Sequence, residues 1–386
     1  MQQIRIPVIY YHSVAPKIKK DWSRSYLTLE LKYFEEELKY FKKNRYKPLF
    51  LEDYYQIRKE GDNSRKKFIV LTFDDGFLDN YIYVYPLLKK YNFKATIFVN
   101  PEFVDSKSRP RHTLEDYWKN RVNFREIDRW GYLSWEEMRI MEQSGLVDIQ
   151  SHTLTHTKYF VSDKLVCFHY PGRDCLYQIG NLYPERKPYC IEDENFEKLL
   201  PYGYPFFEEK SALIARKVEI NPDFINEIIK KLRNFQWNSN YDFQYLFNRI
   251  KPIYCNYKEG DNLIVKTESE SEYHARIEFE LKESKNVIEK ELNKEVKFCC
   301  WPHGDNNEFA HKTAIELGYK ATTIGNFYGN SQNYERIDKR IGLRACCRNR
   351  SLTIQRTKFK IKIYQRINPY YTINKIYQYL KYGKLI

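Results

Sequence analysis

Residues 68–76 read F-I-V-L-T-F-D-D-G. The β-branched and aromatic run is a strand that ends in a glycine-permitted turn, so Asp74 and Asp75 stand together at a strand end. Neighbouring residues of an extended chain point in different directions, so one carboxylate can hold a metal while the other faces an attacking water. Strand ends are also where barrel enzymes keep their sites. Taken alone, D-D-G is better explained by a turn with a capping aspartate. A second cluster changes that balance: after an expected strand at 147–150 comes S-H-T-L-T-H, with His152 and His156 four apart. Two imidazoles at that spacing converge on one ion if the backbone turns after the first. With Asp75 they supply two nitrogens and one oxygen, a set that suits zinc, or cobalt or nickel, and leaves positions open for water and substrate.

Around these two clusters, short β-rich runs alternate with amphipathic helical patterns, the signature of an α/β fold built on a parallel sheet or barrel. Strands are expected at 4–10, 68–73, 95–99 and 147–150. A helix over 31–43 puts Leu31, Phe34, Leu38 and Phe41 on one face, which packs outside a sheet. Another starts at Ser134, with Glu137 closing a capping box, and stops at Gly145. Beyond His156 the alternation ceases. Residues 157 to about 270 are rich in Tyr, Pro, Asn and charge and read as an insertion. From about Ser271 a helix carrying Ile277, Leu281, Val287, Ile288 and Leu292 leads into V-K-F-C-C-W, and a further strand is expected at 319–324. The chain divides accordingly into 1–156, the first part of the barrel; 157–285, the insertion and candidate substrate lid; 286–350, the remainder of the barrel; and 351–386, a basic tail. In the tail Asn368 caps a short helix that opens on Pro369, with the stripe Ile373, Ile376, Tyr377 and Leu380 and a stop at Gly383.

At 386 residues, 42% hydrophobic and 30% charged, the chain buries a sizeable core. Its net charge of +14 is confined to the tail: Lys339 to Ile386 holds 13 basic and no acidic residues, leaving 52 basic against 51 acidic in the first 338. A neutral body without a second basic stripe argues against nucleic acid as a partner. The tail has two readings: a helix docked on the barrel with its lysines in water, which we favour, or a basic amphipathic surface for an anionic membrane or a lipid-linked glycan. The eight cysteines form no C-x-x-C pair and read as reduced thiols. Arg5 and Pro7 interrupt the N-terminal apolar run, which fits neither a signal peptide nor a membrane span. A cytoplasmic location, peripheral at the inner face of the membrane, is the matching expectation.

The motifs resemble the polysaccharide deacetylases (carbohydrate esterase family 4, the NodB homology domain). V-I-Y-Y-H-S-V, the F-E-E-E-L helix followed by Y-K-P-L, L-T-F-D-D-G-F-L-D-N, K-A-T-I-F-V, L-S-W-E-E-M, D-I-Q-S-H-T-L-T-H, C-W-P-H-G-D-N-N and L-G-Y-K-A all fall in that family's order. The resemblance implies a distorted (β/α) barrel of about seven strands with a large insertion after the second metal-binding motif. It implies that Asp75, His152 and His156 bind a divalent metal, Zn2+ first and Co2+ or Ni2+ as alternatives. Asp74 is then the base that takes a proton from the attacking water. In the branch with Tyr-His near the N-terminus, to which this chain is similar, the histidine protonates the departing amine, which assigns His12; the competing reading is a structural histidine at the end of the first strand. The implied reaction removes acetyl from an N-acetylated sugar of a polysaccharide, oligosaccharide or lipid-linked glycan. Two alternatives are a deformylase or other small-amide hydrolase of the same fold, and a non-catalytic glycan-binding barrel.

One motif departs from the family. Where Arg-x-Pro-[Tyr/Phe] is usual, this chain has Cys300, Trp301, Pro302 and His303. Trp301, Pro302 and His303 still suit a substrate-binding wall and an oxyanion N–H, but the arginine that orients the base is missing. Arg340 or Arg344, in the later segment R-I-G-L-R, is the candidate replacement. Within the insertion, Tyr202, Tyr204 and Phe206 are candidate sugar-stacking residues at the rim, with packing and compositional bias as the plainer explanation.

Overall fold

The computed structural model describes residues 5–61, 66–107, 109–326, 333–342 and 353–382. The expectations that rest on Ile4, Arg344, Cys346, Cys347 and Gly383 lie outside these residues. A nine-stranded sheet organises the barrel: β1 Val8–Tyr11, β2 Tyr46–Leu49, β3 Lys67–Phe73, β4 Ala95–Val99, β5 Val147–Ser151, β6 Phe298–Cys299, β7 Ala321–Thr323, β8 Arg336–Ile337 and β9 Ile341–Gly342. Their order is β8-β7-β6-β5-β4-β3-β1-β9, with β2 beside the first half of β3. The pairings are parallel throughout. The terminal strands β8 and β9 do not pair with each other among the described residues, so the curled sheet is a half-barrel. The two extra strands, β8 and β9, are two residues long, too short to show a period in sequence.

Side chains alternate across each strand, and the alternation separates two cores. Ile9, Leu71, Ile97 and Ile149 face outward onto Phe34, Leu38 and Phe41 of the helix Leu31–Lys43 and onto Ile277, Leu281 and Ile288 of the helix Glu270–Leu292. Val8, Val70, Phe98, Phe298, Ala321 and Ile337 form the inner core with Leu51 and Tyr54. Because every strand runs the same way, their C-terminal ends gather on one rim, and continuing the inward parity leads to Tyr10 and His12, Thr72 and Asp74, His152, and Cys300. Ser134 caps the helix Trp135–Gln143 with Glu137 in the reciprocal box, and Ser269 and Glu272 do the same for the long helix Glu270–Leu292.

The segment after His156 forms regular elements, and one expectation, in the tail, is corrected. An antiparallel pair, Lys158–Phe168 with Pro205–Ser211, and the helices Pro222–Leu232 and Phe243–Glu259 enclose a core of Phe168, Phe207, Phe224, Ile228, Leu246 and Ile250. Aromatic side chains such as Phe235, Trp237, Phe243, Phe247 and Tyr254 pack half-buried around this core, and that Tyr-rich background masks the periodicity. In the tail, the docked helix is Thr353–Tyr364: Ile361 is buried and Thr357 reaches Glu37. The helix predicted to dock, Tyr370–Tyr382, starts one residue after Pro369 and leaves its apolar stripe in solvent. Among the described residues no helix is long and apolar enough to cross a membrane.

Candidate active site

Backbone turns at two strand ends aim the ligands. After β3 the chain passes through two positive φ angles, +74° at Asp75 and +69° at Gly76. The first turns the Asp75 carboxylate away from that of Asp74. At the second a Cβ would meet the Val99 side chain at 3.0 Å, so a residue other than glycine is disfavoured by both conformation and space. After β5, Thr153 and His156 also take positive φ, 64° and 42°, the turn that lets residues four apart converge. Asn100 donates to the carbonyls of His152 and Thr153, and Glu280 accepts from the amide and hydroxyl of Thr155 at 3.1 and 2.6 Å. Both contacts pin the turn.

The result is a compact triad. Nε2 of His152 and Nε2 of His156 stand 3.3 and 3.2 Å from Asp75 Oδ1. The His152 ring is oriented from behind, its Nδ1 donating to the Cys300 carbonyl at 2.8 Å, which leaves Nε2 free to ligate. Asp75 Oδ1 is buried and accepts no hydrogen bond, a costly arrangement for a carboxylate. Burial pushes the Asp75 pKa up, but the two imidazoles outweigh it and hold the carboxyl well below its usual range. An ionised oxygen with an unmet lone pair, facing two imidazole nitrogens, fits a divalent cation. A second grouping of potential ligands, Asp74, His152 and Cys300, fits less well because both Asp74 oxygens are already engaged.

Arg340 engages them. Its Nη1 donates to Asp74 Oδ1 at 2.7 Å and its Nη2 to Oδ2 at 2.8 Å, a bidentate fork. Nη1 also bonds the Thr72 hydroxyl and Nη2 the Cys300 sulfur, at 3.1 and 2.9 Å, and the guanidinium lies 4.8 Å from the Tyr10 ring. Burial raises the Asp74 pKa, yet Arg340, with His152 and His12, brings it below the ordinary carboxylate value. The position vacated by arginine in the third motif is thus occupied by Cys300, small enough to admit Arg340 from the strand β9 side. His12 stands on the other flank of the carboxylate, Nε2 4.0 Å from Asp74 Oδ2.

Around these groups is a cleft lined by Tyr10, His12, Asp74, Asp75, His152, His156, Trp301, His303 and Arg340, with Arg24, Tyr177, Asn326 and others at its mouth. His303 takes a positive φ of 59° and packs edge-on against His156 with ring centroids 4.7 Å apart; partial desolvation in the cleft, with the nearby His156, lowers its pKa. Trp301 is 1% exposed and its indole N–H, at the cleft wall, has no hydrogen-bond partner. Pro302 is buried and stands behind the wall instead of lining it. The insertion residues singled out in sequence do not reach the cleft: Tyr202 bonds Glu197 and lies tilted against His169, while Tyr204 and Phe206 pack on each other. Tyr177 takes that place, its hydroxyl 3.1 Å from His303 Nε2 and its ring under the Arg24 guanidinium at 4.5 Å. Arg24 is itself held by Asp174 at 2.7 Å. Neither Tyr177 nor Arg24 carries a local sequence signal.

Residues 61–182, which contain both D-D-G and H-T-L-T-H, match the family model described as polysaccharide deacetylase. That stretch is similar to polysaccharide deacetylases. YxkH of Bacillus subtilis (strain 168) is 30% identical over 152 residues, 39% of this chain and 43% of YxkH. The poly-β-1,6-N-acetyl-D-glucosamine N-deacetylase of Escherichia coli (strain K12) is 25% identical over 130 residues, 33% of this chain and 18% of the enzyme. These matches span less than half the length of either relative. Among solved structures, a de-N-acetylase from Aggregatibacter actinomycetemcomitans superposes with a TM-score of 0.52 at 18% identity, covering 91% of this chain and 98% of that one. The chain thus shares an overall fold with that protein.

Proposed function

We propose that this chain is an amide hydrolase that removes acetyl groups from N-acetylated sugars of a polysaccharide, with poly-β-1,6-N-acetylglucosamine as the first candidate, the polymer for which the Escherichia coli relative is named. The reading rests above all on one juxtaposition: the Asp75–His152–His156 triad around an unsatisfied carboxylate oxygen, beside a second carboxylate gripped by Arg340. Asp75, His152 and His156 would hold a divalent ion, zinc first, which when bound acidifies water and polarises the acetamide carbonyl. Asp74, ionised and locked in orientation by the Arg340 fork, accepts the proton of the attacking water. His12, on the far flank of Asp74, delivers a proton to the departing amine. Trp301 offers an apolar face and an unpaired N–H at the cleft wall, and Tyr177 and His303 give ring faces on which a sugar stacks.

The altered third motif would favour a non-catalytic glycan-binding barrel only if the base had lost its arginine; Arg340 supplies one. Mass spectrometry of poly-β-1,6-N-acetylglucosamine oligomers incubated with zinc-loaded protein tests the proposal. Products lighter by one acetyl group, with matching free acetate, are expected. Unchanged oligomers under conditions where the protein is folded and metal-loaded would sink it.

A further inference from the structure

The helix Tyr370–Tyr382 is mounted with its polar side inward. Tyr370, Tyr371, Asn374 and Gln378 are its partly covered residues, and the contact is with the preceding helix Thr353–Tyr364, where the Lys362 ammonium bonds the Tyr370 hydroxyl at 2.9 Å. The apolar stripe faces away. Ile373, Ile376, Tyr377 and Leu380 are 53%, 55%, 54% and 78% exposed, and Tyr379 is 55% exposed. Isolated exposed apolar residues are ordinary on protein surfaces, whereas a contiguous helical stripe marks a surface that binds something. A soluble amphipathic helix docks this stripe on its own core; here that role is filled by the helix before it, through buried Ile361.

Charge selects the occupant. From Lys339 to Ile386 the sequence has 13 basic residues and no acidic one, against a near-neutral remainder. Lys375 and Lys381 lie within the striped helix, and Arg356, Lys358, Lys362 and Arg366 belong to the helix and turn that carry it. A second copy of the chain would bring like charge against like at this surface, which is repulsive at short range. An anionic bilayer satisfies both features: isoleucine and leucine enter the acyl boundary, tyrosine rings sit at headgroup depth, and lysine and arginine meet the headgroup phosphates. We propose that the helix Tyr370–Tyr382 is an interfacial anchor that lies in the plane of an anionic membrane surface and holds the barrel against it. This anchor is peripheral, since the helix has 13 residues, too few to span a bilayer.

Co-sedimentation of the full chain with vesicles tests the anchor, using phosphatidylcholine alone and phosphatidylcholine mixed with phosphatidylglycerol. Binding is expected to the mixed vesicles only and to weaken as salt is raised. Replacing Lys375→Gln and Lys381→Gln should each lower the partition coefficient about fivefold, and the double substitution Ile376→Asp with Leu380→Asp more than tenfold, with circular dichroism unchanged. The proposal is overturned if the chain ignores anionic vesicles, if the double aspartate variant binds as well as the parent, if duplex DNA competes the chain off the vesicles at equal phosphate, or if light scattering shows a dimer that the double aspartate variant dissolves.

Discussion

A carboxylate held by two guanidinium hydrogen bonds is a weak base, and Asp74 is held in that way at 2.7 and 2.8 Å. In the proposed reaction its usefulness would lie in direction rather than basicity: a fixed oxygen lobe would accept the water's proton without reorganising. Arg340→Ala should therefore lower kcat about a hundredfold while metal content stays at the parent level. Because it leaves a buried carboxylate without its counter-charge, it should also cost about 3–5 kcal/mol of stability, read by denaturant unfolding. Arg340→Lys restores charge but not the fork and should fall between the two. An alanine variant with parental kcat would remove Arg340 from the base's machinery. The triad was legible in sequence because Asp75 follows a strand directly and two histidines sit within one five-residue motif, so local spacing encodes the geometry. Arg340 lies 266 residues from Asp74, and only the empty arginine position at Cys300 hinted at it. Tyr177 had no such hint, being one of 35 tyrosines.

At the scale of elements, the insertion joins the barrel through a shared apolar core of Phe77, Phe103 and Tyr132 with Leu176, Ile179 and Phe206, and the tail through buried Ile361, with polar contacts added to each. Tyr177 belongs to the helix Leu176–Leu182 of the insertion and closes one side of the cleft, so Tyr177→Ala should raise KM about tenfold with little change in kcat, the mark of lost ground-state binding. An unchanged KM would assign the tyrosine to packing. Glu37, on the helix Leu31–Lys43, accepts from Tyr11 of β1 at 2.8 Å and from Thr357 of the helix Thr353–Tyr364 at 2.5 Å. Burial raises its pKa to about 7 despite these donors. A raised folded pKa means that the unfolded chain releases this proton first. The stability it contributes is therefore complete below the ordinary glutamate pKa and is lost as pH rises through about 7, by about 3 kcal/mol in total. Glu37→Gln should remove that dependence, gaining on the parent between about pH 5 and pH 8 in thermal unfolding; parallel pH curves would contradict the assignment. The helices at 31–43 and 134–143 could be read from apolar spacing and caps, whereas in the insertion's helices the buried Phe224, Ile228, Leu232, Leu246 and Ile250 stand among half-buried aromatics such as Phe243, Phe247 and Tyr254 that blur the spacing.

Over the whole molecule, one topological fact produces the site: a sheet whose strands are all parallel delivers every inward-pointing C-terminal residue to one rim. His12, Asp74, His152 and Cys300 come from four strands and meet there without any loop having to fold back. Sequence alternation anticipated this arrangement for β3, β4 and β5, while the short strands at 336–337 and 341–342, which bring Arg340 to the rim, are too brief to announce themselves. The direct test of the site is a paired measurement, bound zinc and acetate release from poly-β-1,6-N-acetylglucosamine, on the parent chain, His152→Ala and Asp74→Asn. One ion per chain and turnover are expected for the parent, loss of both for His152→Ala, and a retained ion with turnover lowered about a hundred- to ten-thousandfold for Asp74→Asn. Zinc bound at parental affinity by His152→Ala, or full turnover by Asp74→Asn, would contradict the account.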